Sequence, residues 1–144
     1  MYKRQINKED IKLKHGGSNI VVDGSDISIL ACGYMVHHAI EASRVLKEKH
    51  GISAKVVNVY SLRPIDSEMI LNCASKSQFI LTVEEHFKYG GLHSLVSQIV
   101  AQNNPVKVHS VSMSNYAESG TTDELVKKYG LNSQSIVEKV LANF

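Results

Sequence analysis

Four short apolar runs punctuate the chain: Ile27 to Cys32, Lys55 to Tyr60, Gln78 to Val83 and Val106 to Val111. Each reads as a strand; Ile27 to Cys32 has the compact apolar composition of one buried on both faces, and Gln78 to Val83 also reads as buried. Between them the period changes. Val36, Ala39, Ile40, Ser43 and Leu46 form one stripe of a helix that opens at Gly33-Tyr34, while Glu41, Arg44, Lys47 and Glu48 fall elsewhere. Leu92, Leu95, Val96, Ile99 and Val100 recur at helical spacing after Gly90-Gly91, and Pro105 breaks that helix. The last helix begins at Asn132 or Ser133 and turns Ile136, Val137, Val140 and Leu141 inward.

Local signals set the ends of these elements. Gly51 is the expected stop of the first helix, with Lys47, Lys49 and His50 near the negative end of its dipole. Asp66 is a good N-cap for the helix after Pro64, and Ile65 and Ile70 stand where a hydrophobic staple needs them. Thr121 and Glu124 have the spacing of a capping box, for a short helix stopped by Gly130. Asp23-Gly24-Ser25-Asp26 is a turn, preceded by a weaker apolar stretch from Ser18 to Val22.

Strands that alternate with helices call for an α/β layered domain, a mostly parallel sheet and right-handed crossovers. Residues 1–17, polar and without a period, read as a linker or arm, and residues 18–144 as one domain. A chain of 144 residues is long enough for a real core. With 43% hydrophobic and 21% charged residues it has an ordinary globular composition. A net charge of +2 gives no reason to expect nucleic acid or an anionic membrane as partner. No apolar run approaches the roughly 18–20 residues that span a bilayer, and MYKRQINKED is too polar for a secretory signal. Cys32 and Cys73 share no spaced motif and read as reduced thiols, which points to a cytoplasmic chain.

Ligands of open α/β sheets bind beyond the carboxyl ends of strands, where the strand order reverses. With Ile27–Cys32 central, Gly33-Tyr34 and Glu84-Glu85-His86 lie side by side at that point. Two carboxylates beside a histidine could exchange protons. The plainer alternative is that they cap helices and pair across a subunit contact, and no nucleophile or oxyanion donor accompanies them. His37-His38 are consecutive and expected to point in different directions. His86 and His93 flank a glycine turn, and neither spacing is that of a metal frame. Gly90-Gly91-Leu92 could hold an anion at a helix start, or simply allow close packing. Val22-Asp23-Gly24 lacks the first glycine and the later Asn pair of a thiamine-diphosphate Mg²⁺ motif, so turn chemistry explains it.

Taken together, five segments resemble one family. Gly24 to Gly33 (GSDISILACG) resembles the opening of the transketolase C-terminal domain, and His38 to Ser43 (HAIEAS) its next helix. Asn58 to Asp66 (NVYSLRPID), Thr82 to His86 (TVEEH) with Gly90-Gly91-Leu92, and Glu118-Ser119-Gly120 through Leu131 are similar to later stretches of the same domain. The likeness runs from about Gly24 to Leu141 and is greatest to the C-terminal section of split transketolases. Deoxyxylulose-phosphate synthase and the β subunit of 2-oxoacid dehydrogenase E1 share the domain. His93, at a family glycine, and Val111-Ser112-Met113-Ser114, in place of a glycine-rich turn, depart from the pattern.

The resemblance implies a three-layer αβα domain whose five-stranded, mostly parallel sheet has Ser18–Val22 as an antiparallel edge beside Lys55–Tyr60. It implies ketol transfer between sugar phosphates as the parent activity. Thiamine diphosphate and Mg²⁺ would be held by N-terminal domains, on the same or a separate chain, across a homodimer interface. This segment alone would then be inactive, with no catalytic, cofactor or metal residue of its own. Its candidate interface or channel patch is Gly33, Tyr34, Glu84, Glu85, His86, Gly90, Gly91 and His93. The alternatives are the synthase or dehydrogenase roles, or a free-standing regulatory module.

Overall fold

The computed structural model describes residues 12–144; the first eleven residues of the predicted arm lie outside the described residues. Five strands form one sheet: β1 (Asn19–Val22), β2 (Ile27–Ala31), β3 (Ala54–Asn58), β4 (Phe79–Phe87) and β5 (Lys107–Met113). The strand order is β1-β3-β2-β4-β5. β3 and β4 both pair parallel to β2, β5 pairs parallel to β4, and β1 runs antiparallel on the outer edge of β3. The antiparallel edge expected beside the second main strand is therefore present.

Helices α1 (Met35–His50), α2 (Ser67–Lys76), α3 (Leu92–Asn103), α4 (Thr122–Lys128) and α5 (Ser133–Leu141) cover the two faces. Alternation along the strands divides the core. Ile27, Ile29, Val56, Leu81 and Val83 point to the face that α1 and α5 cover, with Leu46, Ile136 and Val140. Leu30, Val57 and Ile80 point to the other, against Ile70 and Cys73 of α2 and Val96 and Val100 of α3. All five residues of β2 are buried, which is why that strand carries no alternation. Gly24 lets the turn before β2 lie directly on the Ala54–Lys55 peptide, where a Cβ would collide with backbone.

The local signals act as expected. Asp66 accepts from Met69 N at 3.1 Å, and Ile65 packs into the same cluster as Ile70. Gly51 ends α1 at φ 68°. Gly130 ends α4 at φ 65°. Three expectations are corrected. β4 does not stop at Val83 but runs on to Phe87, because β5 continues with it and pairs Met113 with Phe87. β5 itself starts at Lys107 and ends at Met113 rather than Val111. Leu141 does not face inward: it is 42% exposed, since Ile136, Val137 and Val140 already fill the α5 contact.

In the capping box, the Glu124 carboxylate accepts from Thr121 N at 3.2 Å and from the Thr121 hydroxyl at 2.6 Å. The hydroxyl bond first, and then the backbone bond, holds the Glu124 carboxyl below its ordinary range. A lowered pKa stabilises the fold above the unfolded value of 4.5, and that contribution is lost as pH falls through the folded value. Thr121→Ala should lower the urea midpoint at pH 7, and the difference from wild type should shrink below about pH 4. Equal midpoints at pH 7 would mean the box adds nothing to stability.

Candidate functional site

The carboxyl end of the sheet gathers the candidate residues around one buried carboxylate. β2 and β4 are neighbours in register, Ala31 opposite Val83, so Cys32-Gly33-Tyr34 and Glu84-Glu85 leave the sheet side by side. Glu84 is only 1% exposed. It turns toward α3, accepting from Leu92 N at 2.7 Å and His93 N at 2.9 Å. Two free N–H groups at a helix start suit an anion, and the dipole adds to the attraction. A carboxylate of the chain's own fills the anion position considered at Gly90-Gly91-Leu92. Gly91 is required there, because a Cβ would overlap Glu84 Oε2 and lie 2.8 Å from the Phe87 carbonyl.

The rest of the patch divides. Glu85 and His86 are exposed, and His86 Nδ1 lies 3.0 Å from the Phe87 carbonyl. Gly90, at φ 85°, donates to Ser94 Oγ. Gly33 makes the turn into α1 at φ 58°. Glu84 and Glu85 reach toward different surroundings, so the proton exchange considered for the pair is not available: both oxygens of Glu84 are occupied by the α3 backbone. Cys32 is half-buried, and its thiol is pushed up to about 11 by burial and then by the charges of Glu84 and Glu85. Such a thiol is a poor nucleophile at neutral pH.

His37 and His38 do not diverge. Their rings lie 3.9 Å apart, and both meet Tyr34 edge-on, at 4.5 Å and 5.4 Å. In the first turn of α1 both side chains lean back toward the helix start, over Tyr34. His37 Nδ1 donates to the Tyr34 carbonyl at 2.6 Å.

Thr82 was not singled out by sequence, yet it links the patch to β5. Its hydroxyl lies 3.2 Å from the His109 carbonyl and 3.2 Å from His93 Nδ1. The carbonyl can only accept, so the single Thr82 proton goes there and His93 Nδ1–H donates to Thr82. Burial pushes the His93 pKa down, with Lys88 and His109 acting the same way and Glu84 opposing. His109 is lowered by burial and then by Lys139 and Lys107. Histidines with depressed pKa favour folding in the neutral form, so stability should fall as pH drops below 6.5. His93→Asn, whose amide can still donate to Thr82, should flatten that limb. An unchanged pH–stability profile would contradict the coupling.

The Asp23 turn does not fit magnesium. Asp23 Oδ1 accepts from its own Gly24 N at 2.9 Å and lies 3.8 Å from Lys55 Nζ, a cation. Among the described residues no three His, Cys, Asp or Glu side chains converge to hold a metal ion. No helix among them is long and apolar enough to cross a membrane.

A family model described as "Transketolase, C-terminal domain" matches residues 16–136. The chain belongs to the transketolase C-terminal domain family. It is 35% identical, over 92% of its length, to an apulose-4-phosphate transketolase subunit of Phocaeicola vulgatus, of which it covers 42%. It is 37% identical, over 90% of its length, to a 1-deoxy-D-xylulose-5-phosphate synthase of Synechococcus sp., of which it covers 20%. A solved structure described as a split gene transketolase, inactive beta4 tetramer, superposes with a TM-score of 0.91 at 33% identity. That match covers 96% of this chain and 45% of the other. The chain thus spans less than half the length of the relatives it matches.

Proposed function

We propose that residues 18–144 are the C-terminal domain of a thiamine-diphosphate-dependent, transketolase-like enzyme that transfers ketol units between sugar phosphates, with residues 1–17 as its connecting arm. The observation that carries this reading is the match along almost the whole chain to a relative that is itself one subunit of a transketolase. The name of that relative, and the split-gene neighbour, favour a partner bearing the thiamine-binding domains, on the same or a separate chain. Thiamine diphosphate and Mg²⁺ are assigned to those domains, in a cytoplasmic homodimer.

In this reading Gly33, Tyr34, Glu85, His86 and Gly90 form the surface that packs against those domains or lines the outer substrate channel. Glu84, Gly91 and His93 stand beneath it and fix the start of α3. The match to deoxyxylulose-phosphate synthase supports the same domain role with a different parent reaction. Titration calorimetry with Mg²⁺ and thiamine diphosphate should give no heat of binding with this chain alone. A micromolar dissociation constant would contradict the division of labour.

A further inference from the structure

Along the β1–β3 edge of the sheet, from the first residues of β3 toward the start of α2, lies a cavity of about 590 Å³. Its floor is Lys55, the first charged residue of β3, whose side chain is only 9% exposed. The apolar stem is buried, while the ammonium tip keeps access to the groove. Among the described residues the Lys55 ammonium makes no hydrogen bond. Its one ionic neighbour there, Asp23, is 3.8 Å away and 88% exposed, too long for a hydrogen bond and screened by solvent.

One stripe of α2 forms the opposite wall. Glu68, Asn72 and Lys76, at successive four-residue spacing, all line the cavity. Ser77 ties the Lys76 end of this stripe to the floor: its hydroxyl lies 2.7 Å from that of Ser28, which is paired in register with Lys55. Lys55 and Lys76 therefore stand at one end of the groove and Glu68 at the other. The Asp66 carboxylate beyond Glu68 is already used, by Met69 N, Ser18 N and Ser18 Oγ. Among the described residues the groups that line the groove are thus two cations at one end, with the exposed Asp23 beside Lys55, the Asn72 amide between, and the Glu68 carboxylate at the far end.

We propose that this groove binds a small monocarboxylic acid bearing a hydroxyl or amino group, its carboxylate on Lys55 and Lys76 and its hydroxyl or amine toward Glu68. The oxyanion would pair with the two ammonium groups that line this end of the groove. The Glu68 carboxylate at the far end disfavours a second negative charge on the ligand there. The site is separate from the carboxyl-end patch and does not depend on the parent reaction.

The test is a ¹H–¹⁵N NMR titration of the chain with D-glycerate and L-serine, with glycerol and citrate as controls. Glycerate and serine should give saturable shifts at Lys55 and along residues 68–77, whereas glycerol and citrate should not. Lys55→Met keeps the apolar stem and should weaken glycerate binding about tenfold or more. Lys76→Ala, at an exposed helix position, should weaken it as well without touching the core. No saturable shift with glycerate at concentrations on the order of 10 mM, tighter binding of citrate, or unchanged affinity in Lys76→Ala would each overturn the proposal.

Discussion

Glu84→Gln should destabilise the domain by roughly 3 kcal/mol, read as a lower urea midpoint with an unchanged m-value. The carboxylate accepts two backbone N–H groups, from Leu92 and His93, in a site with almost no access to water. Glutamine offers one carbonyl oxygen, and its amide nitrogen would face an N–H with another donor. One buried amide is then left without an acceptor, and the charge that matched the helix dipole is gone. Glu84→Ala should cost more, because both amides lose their acceptor. The amides of Leu92 and His93 should exchange faster in either variant. A midpoint shift equivalent to less than about 1 kcal/mol would mean water replaces the carboxylate without penalty.

Gly91→Ala should cost about 2 kcal/mol, the range of forced overpacking. The added methyl would occupy the space of Glu84 Oε2 and press on the Phe87 carbonyl. Either the carboxylate moves away from Leu92 N or the start of α3 moves away from β4. Because the clash and the capping share one oxygen, the two substitutions should not add. Gly91→Ala combined with Glu84→Ala should cost less than the sum of the single changes, since the truncated side chain vacates the contested position. Strict additivity would place the strain of Gly91→Ala at the Phe87 carbonyl instead.

The sequence announced more of the sheet than of the site. With Ile27–Cys32 taken as central, the apolar runs placed its two neighbours, and the antiparallel edge strand came from the family resemblance; a β2 buried on both faces agrees with that central place. The ends of β4 and β5 were less legible: Glu84, Glu85 and His86 look like the polar end of a strand, yet Phe87 goes on pairing with Met113. What hid that continuation is the direction of Glu84, a charge pointing inward to meet backbone N–H groups. Gly90-Gly91 carried the signal for a close approach, but only the structure identifies the approaching group as a carboxylate of the same chain. Thr82 was hidden for a different reason. A lone hydroxyl in QFILTV reads as a β-branched strand residue, and its bridge between His93 and His109 depends on which strands become neighbours. Lys55, likewise, looks like an ordinary strand-opening lysine until β1 and α2 close around it.

In the proposed reading, support of the fold and contact with the other domains fall to different residues of this domain. Glu84 and Gly91 fix where α3 begins, and α3 with β4 presents Glu85 and His86 at the carboxyl edge. Substitutions at Glu85 and His86 should therefore act on assembly or turnover of the parent enzyme, with little change in the stability of this domain. The decisive assay is ketol transfer between sugar phosphates by the thiamine-binding domains, run with and without residues 18–144. Turnover is expected with the domain joined or added, and none with either part alone. Thiamine-binding domains that turn over equally fast, in the same oligomeric state, without this domain would contradict the proposed role.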